Sequence, residues 1–436
     1  MSYEWGREAI LQSLHDLQCT CKKCMQKISN PGTSEGMTMV GKVARIITVT
    51  FMIIGLLYAG PAVSVYAEEL GQQVENQEQE QAKRRQPTFE QDGITMLIRT
   101  SPDAEMETRL EMIQPQLAKS LKDALNSGNA KKPVDHLPLS DVYVRLPTDQ
   151  AEYMVSPAGE LLSERSMTAI ALPIKARTQL LTYAQKLKEV HYGQPLPWKE
   201  AKKIVPMKEI ITVVDVETGM SFKAQRRAGR NHADVQPLTA KDSAIMKQIY
   251  DGEWSWRRKA ILVKSNGRTL AASMHGMPHG GDGIPGNNFA GHFCIHFLDS
   301  TTHRSKQTDP DHQLMVWKAS GEIDLYLARM SPEEVVDTFY TAMRVKDPNI
   351  IKRLFVRADD PQAKEYASVR DQYVQIEKQT VTQEKNGDSL LTVQIKADTR
   401  VFPAGGGKPT RRTLLFKLQR GSPADPWKIA GVEEER

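Results

Sequence analysis

One stretch of the sequence, from His275 to His303, collects the side chains best suited to chemistry. It holds five of the ten histidines and Cys294, the one cysteine beyond residue 24. Side chains alternate between the two faces of a β-strand, so a strand here places His292, Cys294 and His296 on one face. The opposite face then holds three bulky apolar residues, Phe293, Ile295 and Phe297. The pattern predicts a core on that face and a site on the thiol face.

A thiol becomes a nucleophile when its thiolate is stabilised or its proton is accepted, and a neighbouring imidazole can do both. His292 flanks Cys294, while His275 and His279 lie on the Gly-rich loop just before it and are candidate bases. The alternative is a buried structural cysteine, because Cys is among the most buried residue types. The alternation favours catalysis. If an imidazole stabilises the thiolate, alkylation of Cys294 should persist well below the ordinary thiol pKa of about 8.5.

The same histidines suggest zinc as an alternative. His275 and His279 have ligand-like spacing, but they lie among Gly and Pro, and no Glu follows the first His as a metalloprotease base requires. His292 and His296 share a strand face, and His232-Ala233-Asp234 adds another possible ligand pair. The thiol interpretation needs no cofactor, and zinc remains the alternative.

Other polar residues near this stretch are candidates for binding substrate. Trp254 and Trp256, followed by Arg258, could line a groove for a substrate that carries carboxylates, or the two rings could simply pack on the sheet. His303 is close enough in sequence to join the site. His312 lies in the polar run around Asp309-Pro310-Asp311, where we expect mostly solvated loop.

Charge and hydropathy indicate the kinds of partner and the cellular location that we expect for the chain. The net charge of +5 comes from 58 basic and 53 acidic residues without a long single-sign stretch, so we expect no nucleic-acid partner. The uncharged, apolar run 46–67 is long enough to span a bilayer, and its Val65-Tyr66-Ala67 end also resembles a cleavable signal peptide. We therefore expect a single-pass membrane protein with an extracytoplasmic C-terminal part, or a secreted one. Beyond the run, Cys294 has no cysteine with which to form an intrachain disulfide.

Composition and periodicity predict a multi-domain α+β protein with a β-rich central domain, which holds the candidate catalytic residues, and a C-terminal α+β domain. In chain order, the expected divisions are a cytoplasmic or signal n-region segment (1–44), a transmembrane helix or signal peptide (45–67), a polar linker (68–91), a small α/β module (92–194), the catalytic domain (195–325) and the C-terminal domain (330–436). The last begins with the capping box Ser331-Pro332-Glu333-Glu334. Its helix followed by a meander of strands resembles the nuclear-transport-factor-like cone.

The central motifs resemble those of the L,D-transpeptidases of the bacterial cell wall. That family carries an upstream His-Gly, matched by His279-Gly280 or His275-Gly276, and a Ser-His-Gly-Cys segment that 291–296 (Gly-His-Phe-Cys-Ile-His) resembles. The resemblance implies that Cys294 attacks peptidoglycan stem peptides at an L,D bond, forms a thioester and releases it to an amine or to water. Three positions depart from the family pattern. Gly291 stands where the family has Ser, Phe293 where it has Gly before the Cys, and His296 where it has Arg after the Cys. His296, Trp254, Trp256, Arg258 and His303 are the residues that we expect to contact the substrate.

Overall fold

The computed structural model describes residue 72 and residues 88–435, apart from 148, 282, 304, 370–372, 385–389 and 405–406. Residues 87–436 form one compact unit. Helices and several antiparallel sheets alternate along this unit, so the predicted α+β class is confirmed. In the described part of the chain, no helix combines the length and the apolar character needed to cross a bilayer. The apolar run 46–67 lies outside the described residues.

The first sheet is antiparallel and carries two long helices. Its seven described strands are β1 (Gly93–Arg99), β2 (Glu107–Ile113), β3 (Lys131–Pro133), β4 (Val142–Leu146), β5 (Asp149–Val155), β6 (Leu161–Ser163) and β7 (Thr168–Ile170), in the order β2-β1-β4-β5-β6-β7-β3. After a short helix α1 (Phe89–Asp92), helices α2 (Pro115–Asn126) and α3 (Ile174–His191) bury Leu117 and Leu180 in the core of this sheet. The near-helical spacing of Met112, Leu117, Leu121 and Leu125 predicts a helix that already includes Met112. Met112 instead lies on β2, and α2 begins at Pro115. Proline suits the first helical turn because it has no amide hydrogen, and the amides of that turn have no partner within the helix.

A closed six-stranded barrel follows within the described residues. Its strands are β8 (Ile210–Asp215), β9 (Ser221–Ala228), β10 (Ala233–Pro237), β11 (Arg258–Ser265), β12 (Arg268–His275) and β13 (Phe293–His296), closed in the order β10-β13-β12-β11-β8-β9. The alternating run 210–224 around Glu217-Thr218-Gly219 predicts the β8–β9 hairpin, and Asn266-Gly267 predicts a turn between β11 and β12; both are confirmed. Two helices, α4 (Trp198–Ile204) and α5 (Ala240–Ile249), pack on the barrel core through Trp198 and Met246.

Five helices and a four-stranded meander complete the described chain. They are α6 (Pro310–Ala319), α7 (Ile323–Leu327), α8 (Pro332–Val345), α9 (Pro348–Leu354), α10 (Pro361–Val369), β14 (Tyr373–Glu384), β15 (Thr392–Pro403), β16 (Thr410–Gln419) and β17 (Lys428–Glu435), with the four strands paired in chain order. The predicted capping box at Ser331 is present, because its hydroxyl accepts from the Glu334 amide and the Glu334 carboxylate accepts from the Ser331 amide. The Asn386-Gly387 dipeptide predicts a turn between the first two strands of the meander, and it lies outside the described residues.

Buried Lys318 on α6 joins separate parts of this unit. Its ammonium group lies 2.5 Å from Glu217, which follows β8, and also pairs with Asp347, the N-cap of α9. Glu217 in turn accepts a hydrogen bond from Ser101, which follows β1. Burial alone would lower the pKa of Lys318, but the carboxylates of Asp347 and Glu217 raise it above its ordinary value. Lys318 therefore carries its charge inside the protein and ties the barrel to the helices beyond it.

Candidate active site

Strand β13 separates apolar from reactive side chains, as its sequence predicts. Phe293, Ile295 and Phe297 belong to the core of the barrel, whereas Cys294 faces a group of polar side chains. Cys294 is only 5% exposed. It is also a free thiol, so its chemistry depends on what lies around it.

His279 is the base candidate nearest to the thiol. Its Nε2 lies 3.5 Å from Cys294 Sγ, and its Nδ1 lies 3.1 Å from the carbonyl oxygen of Met277. A carbonyl can only accept, so Nδ1 carries the proton and Nε2 presents a lone pair to the thiol. The Met277 carbonyl thereby sets the tautomer that a general base needs.

A short backbone bridge holds His279 beside β13. The His279 amide donates to the His292 carbonyl at 3.0 Å, and the His292 amide donates to the His279 carbonyl at 2.8 Å. Gly291 makes this approach possible: its φ is +97°, and a Cβ there would lie 2.2 Å from the His279 carbonyl oxygen. Any larger residue at 291 would push the loop that carries His279 away from Cys294.

Asp234 on β10 is the carboxylate of the site. It pairs with Cys294 across the two strands, and its Oδ1 lies 3.9 Å from Cys294 Sγ. The same oxygen lies 3.9 Å from His292 Nε2 and 3.3 Å from His303 Nε2. Burial raises the pKa of Asp234, but the imidazoles around it lower that pKa below its ordinary value overall. The site therefore contains an ionised carboxylate at neutral pH.

The thiol is held in its neutral form. Burial, and then the negative charge of Asp234, raise the pKa of Cys294 above that of an ordinary thiol. This direction is opposite to the depressed thiol pKa that the neighbouring histidines suggest in the sequence. The geometry suits transfer of the proton to His279 during attack, rather than a thiolate formed beforehand.

We therefore expect alkylation of Cys294 by iodoacetamide to keep rising with pH above about 8.5, with little modification at pH 7. Asp234→Asn removes a negative charge, lowers the thiol pKa and should raise the rate at pH 7 several-fold. Mass spectrometry of the peptide that contains Cys294 measures both. Asp123→Asn, on the exposed part of α2, is the matched control and should change nothing. A rate that levels off below pH 8.5 would contradict this assignment.

Four further histidines form a buried group behind the thiol: His232, His275, His296 and His312. His275 is 3% exposed and accepts from the Met277 amide at 3.4 Å, so it supports the loop that carries His279. Burial lowers the pKa of His275 well below its ordinary value. His296 is 3% exposed and stacks between His232 and His312 at centroid distances of 4.3 Å and 3.8 Å. Its position is thus away from solvent.

The expectation that His312 lies in a solvated loop was wrong. Asp309 caps α6, and His312 lies on the first turn of that helix, 2% exposed, where its Nδ1 lies 2.9 Å from the Ser273 hydroxyl. The Asp-Pro pair was the available signal, since Asp is a favoured N-cap and Pro a favoured first helical residue. His303, in contrast, has a side chain that is 53% exposed.

The two tryptophans differ in environment. Trp254 packs edge-on against Phe289, at a centroid distance of 5.1 Å, and joins the barrel core. Trp256 is 49% exposed and its ring lies 5.2 Å from that of His279. Arg258 is engaged by Asp309 at 2.7 Å and by the Trp256 carbonyl at 2.7 Å. Trp256 is therefore the residue of this segment that presents an open surface beside the thiol and its base.

Sequence reasoning missed two members of the site. Asp234 was considered only as a possible metal ligand, and the Met277 carbonyl was not considered. The register of β10 against β13, which pairs Asp234 with Cys294, brings together residues 60 positions apart. Strand patterns could have proposed a β10–β13 pair, but nothing local in the sequence fixes its register.

Comparisons with known proteins leave the class of this protein open. No family model matches the chain, and no curated protein matches it. Three of the solved structures that match are an Rd1NTF2 variant, RPA3114 from Rhodopseudomonas palustris, which contains a SEC-C motif, and Bd1075 from Bdellovibrio bacteriovorus. The first two are each 14% identical with a TM-score of 0.19; they cover 24% of this chain and 95% and 80% of their own. Bd1075 is 10% identical, covers 56% of this chain and 98% of its own, and has a TM-score of 0.20. TM-scores this low carry no argument about function.

Proposed function

We propose that this protein is an extracytoplasmic cell-wall enzyme that performs cysteine-based acyl transfer at L,D bonds of peptidoglycan stem peptides. The observation that carries the proposal is the pairing of Cys294 Sγ with His279 Nε2 at 3.5 Å, with the His279 tautomer set by the Met277 carbonyl. A nucleophile, a base and a group that orients the base are the parts that covalent catalysis requires.

In the proposed reaction, His279 Nε2 takes the thiol proton as Sγ attacks the carbonyl carbon of the L,D bond. The tetrahedral intermediate collapses when its C–N bond breaks, and His279 returns the proton to the leaving amine. The resulting thioester is then attacked by an amine of a second stem, which gives transpeptidation, or by water, which gives carboxypeptidase-type hydrolysis. His279 accepts the proton of the incoming group and returns it to Sγ.

The departures from the resembled family fall at sites with a physical explanation. Gly291 has the positive φ and the close contact that the His279 bridge needs. Phe293 and His296 are buried on opposite faces of β13, in the barrel core and against His312 respectively. These substitutions are compatible with a working thiol because none lies between Cys294 and His279.

The rest of the proposal concerns organisation and location. We infer a catalytic domain around the barrel, within 195–325, preceded by a small module at 92–194. A nuclear-transport-factor-like domain follows at 330–436. We also infer export or membrane anchoring through 45–67, with a polar linker at 68–91. Peptidoglycan stem peptides are the proposed partners, and Trp256 is the residue best placed to contact them.

A zinc-dependent wall peptidase is the second candidate function. It is favoured by the group His275, His279 and Cys294, whose ligand atoms all lie within 4.8 Å of one another. In that case the ion rather than the thiol would activate the attacking group. A noncatalytic peptidoglycan-binding protein is the third alternative, and it would need none of these contacts.

Muropeptide processing by the purified full-length chain separates these functions. We expect alkylation of Cys294, or Cys294→Ala, to abolish processing of tetrapeptide muropeptides, while a chelator leaves it intact. His136→Ala, at an exposed position outside the site, is the matched control. Loss on chelation as well as on alkylation would support the zinc function instead, because Cys294 is one of the ligands of that group. Wall binding with no processing by the unmodified chain would leave a binding protein.

A further inference from the structure

We propose that His232, Asp234 and His303 form a binding site for a divalent transition-metal ion, separate from the Cys294–His279 pair of the acyl transfer proposed above. The three residues come from β10 or just before it and from the loop between β13 and α6. Their ligand atoms all lie within 4.8 Å of one another. Residue types and distances together suit zinc or a neighbouring metal.

The tautomer of His232 is the first argument. His232 is 2% exposed, and its Nδ1 lies 2.8 Å from the Thr301 carbonyl oxygen. The carbonyl must accept, so in the neutral ring Nδ1 carries the proton and Nε2 holds a lone pair. A metal-bound histidine usually donates a hydrogen bond from its other ring N–H to a carbonyl or carboxylate in this way.

The unsatisfied Nε2 of His232 is the second argument. It is buried, makes no hydrogen bond, and lies 3.2 Å from Asp234 Oδ1. A lone pair facing an ionised carboxylate at this distance is repulsive unless a proton or a metal ion lies between them. The site therefore contains an acceptor that the surrounding protein leaves without a donor, which is uncommon for a buried polar atom.

The spacing of the donors is the third argument. Asp234 Oδ1 lies 3.2 Å from His232 Nε2 and 3.3 Å from His303 Nε2. Two tetrahedral zinc ligands at about 2.0–2.1 Å from the ion are separated by about 3.3 Å. A proton can bridge one of these contacts, whereas an ion can take all three donor atoms at once. The half-exposed His303 leaves the ion a route to solvent and room for a water as fourth ligand.

Such an ion would fasten the loop that carries Thr301 and His303 to β10. The loop provides His303 and the Thr301 carbonyl that orients His232, while β10 provides Asp234. Binding should therefore stabilise the folded chain in proportion to the logarithm of ion concentration. Neither Cys294 nor His279 is required as a ligand. Binding of the ion can therefore be tested separately from the proposed reaction.

Titration of Zn²⁺ into chelator-treated full-length chain tests the site, with competition by a zinc-binding dye and thermal unfolding as readouts. We expect one ion bound and a raised Tm, with affinity falling tenfold or more in His303→Ala and in the isosteric Asp234→Asn. His303→Ala removes an exposed side chain, so its folding can be verified by an unchanged Tm without metal. His136→Ala, which lies outside the cluster, should bind as the unaltered chain does.

Two results would overturn the site. One is an affinity for Zn²⁺ in the unaltered chain no greater than in the folded His303→Ala variant. The other is binding that survives His303→Ala and Asp234→Asn but is lost in His279→Gln or Cys294→Ala, which would place the ion at the other histidine group. Since binding is measured directly, failure of muropeptide processing would not count against the site.

Discussion

Replacing His279 by glutamine is expected to lower kcat for muropeptide processing by about 10²–10⁴-fold, the range over which a positioned general base contributes. Glutamine has a similar reach toward Cys294, but it cannot accept the thiol proton. The high pKa of the buried thiol makes this loss large, because little thiolate exists at neutral pH to react without a base. Rates at increasing pH provide the check: the variant should recover activity as the thiol ionises, while the unaltered protein should not gain in the same proportion.

Comparing His275→Asn with His279→Gln tests which of the two histidines is the base. Asparagine keeps an acceptor for the Met277 amide, which His275 contacts at 3.4 Å, so the loop should hold its conformation. We expect a change in kcat of less than about tenfold, because His275 supports His279 without taking the proton. The assignment would be wrong if His275→Asn caused the larger loss and His279→Gln the smaller. Equal and complete loss in both, with unchanged Tm, would also exclude His279 as the sole base.

Replacing Lys318 by methionine is expected to destabilise the described unit by about 3–5 kcal/mol, the cost of leaving a buried charge without its partner. Asp347 would keep its bonds to the Asn349 and Ile350 amides, each 3.0 Å long, but it would lose the ammonium group of Lys318. Glu217 would lose the same partner. The midpoint of urea unfolding, measured on the full-length chain, should fall markedly. The slope of the free energy of unfolding against urea concentration should change little.

Two further variants separate the buried charge from a general effect of losing lysine. Lys119→Met removes an exposed pair with Asp123 on α2, and we expect less than about 1 kcal/mol. Asp347→Asn combined with Lys318→Met removes the two charges of the buried pair, leaves Glu217, and should recover part of the lost stability. If Lys318→Met unfolds no more easily than Lys119→Met, the buried pair does not hold these elements together.

Local sequence rules predicted much of the secondary structure. The alternation around Cys294, the Asn266-Gly267 turn and the capping box at Ser331 each depend on neighbours within a few residues, and all three are confirmed. Errors arose where a pattern had two physical interpretations. Met112 fits a helical spacing but lies on a strand, and the polar run before His312 is a helix cap rather than a solvated loop.

The sequence by itself determined that a strand would hold one free thiol on a face with histidines, since side-chain alternation is a local property of the backbone. It left His275 and His279 equal as bases, because both lie on one loop whose path local rules do not fix. In the tertiary structure, the bridge of His279 to His292 holds His279 Nε2 3.5 Å from Cys294 Sγ, which favours His279 as the base. The tertiary structure also brought Asp234 to the thiol and Lys318 to its two carboxylates. Such contacts depend on strand register and helix packing across many residues, which no single segment encodes.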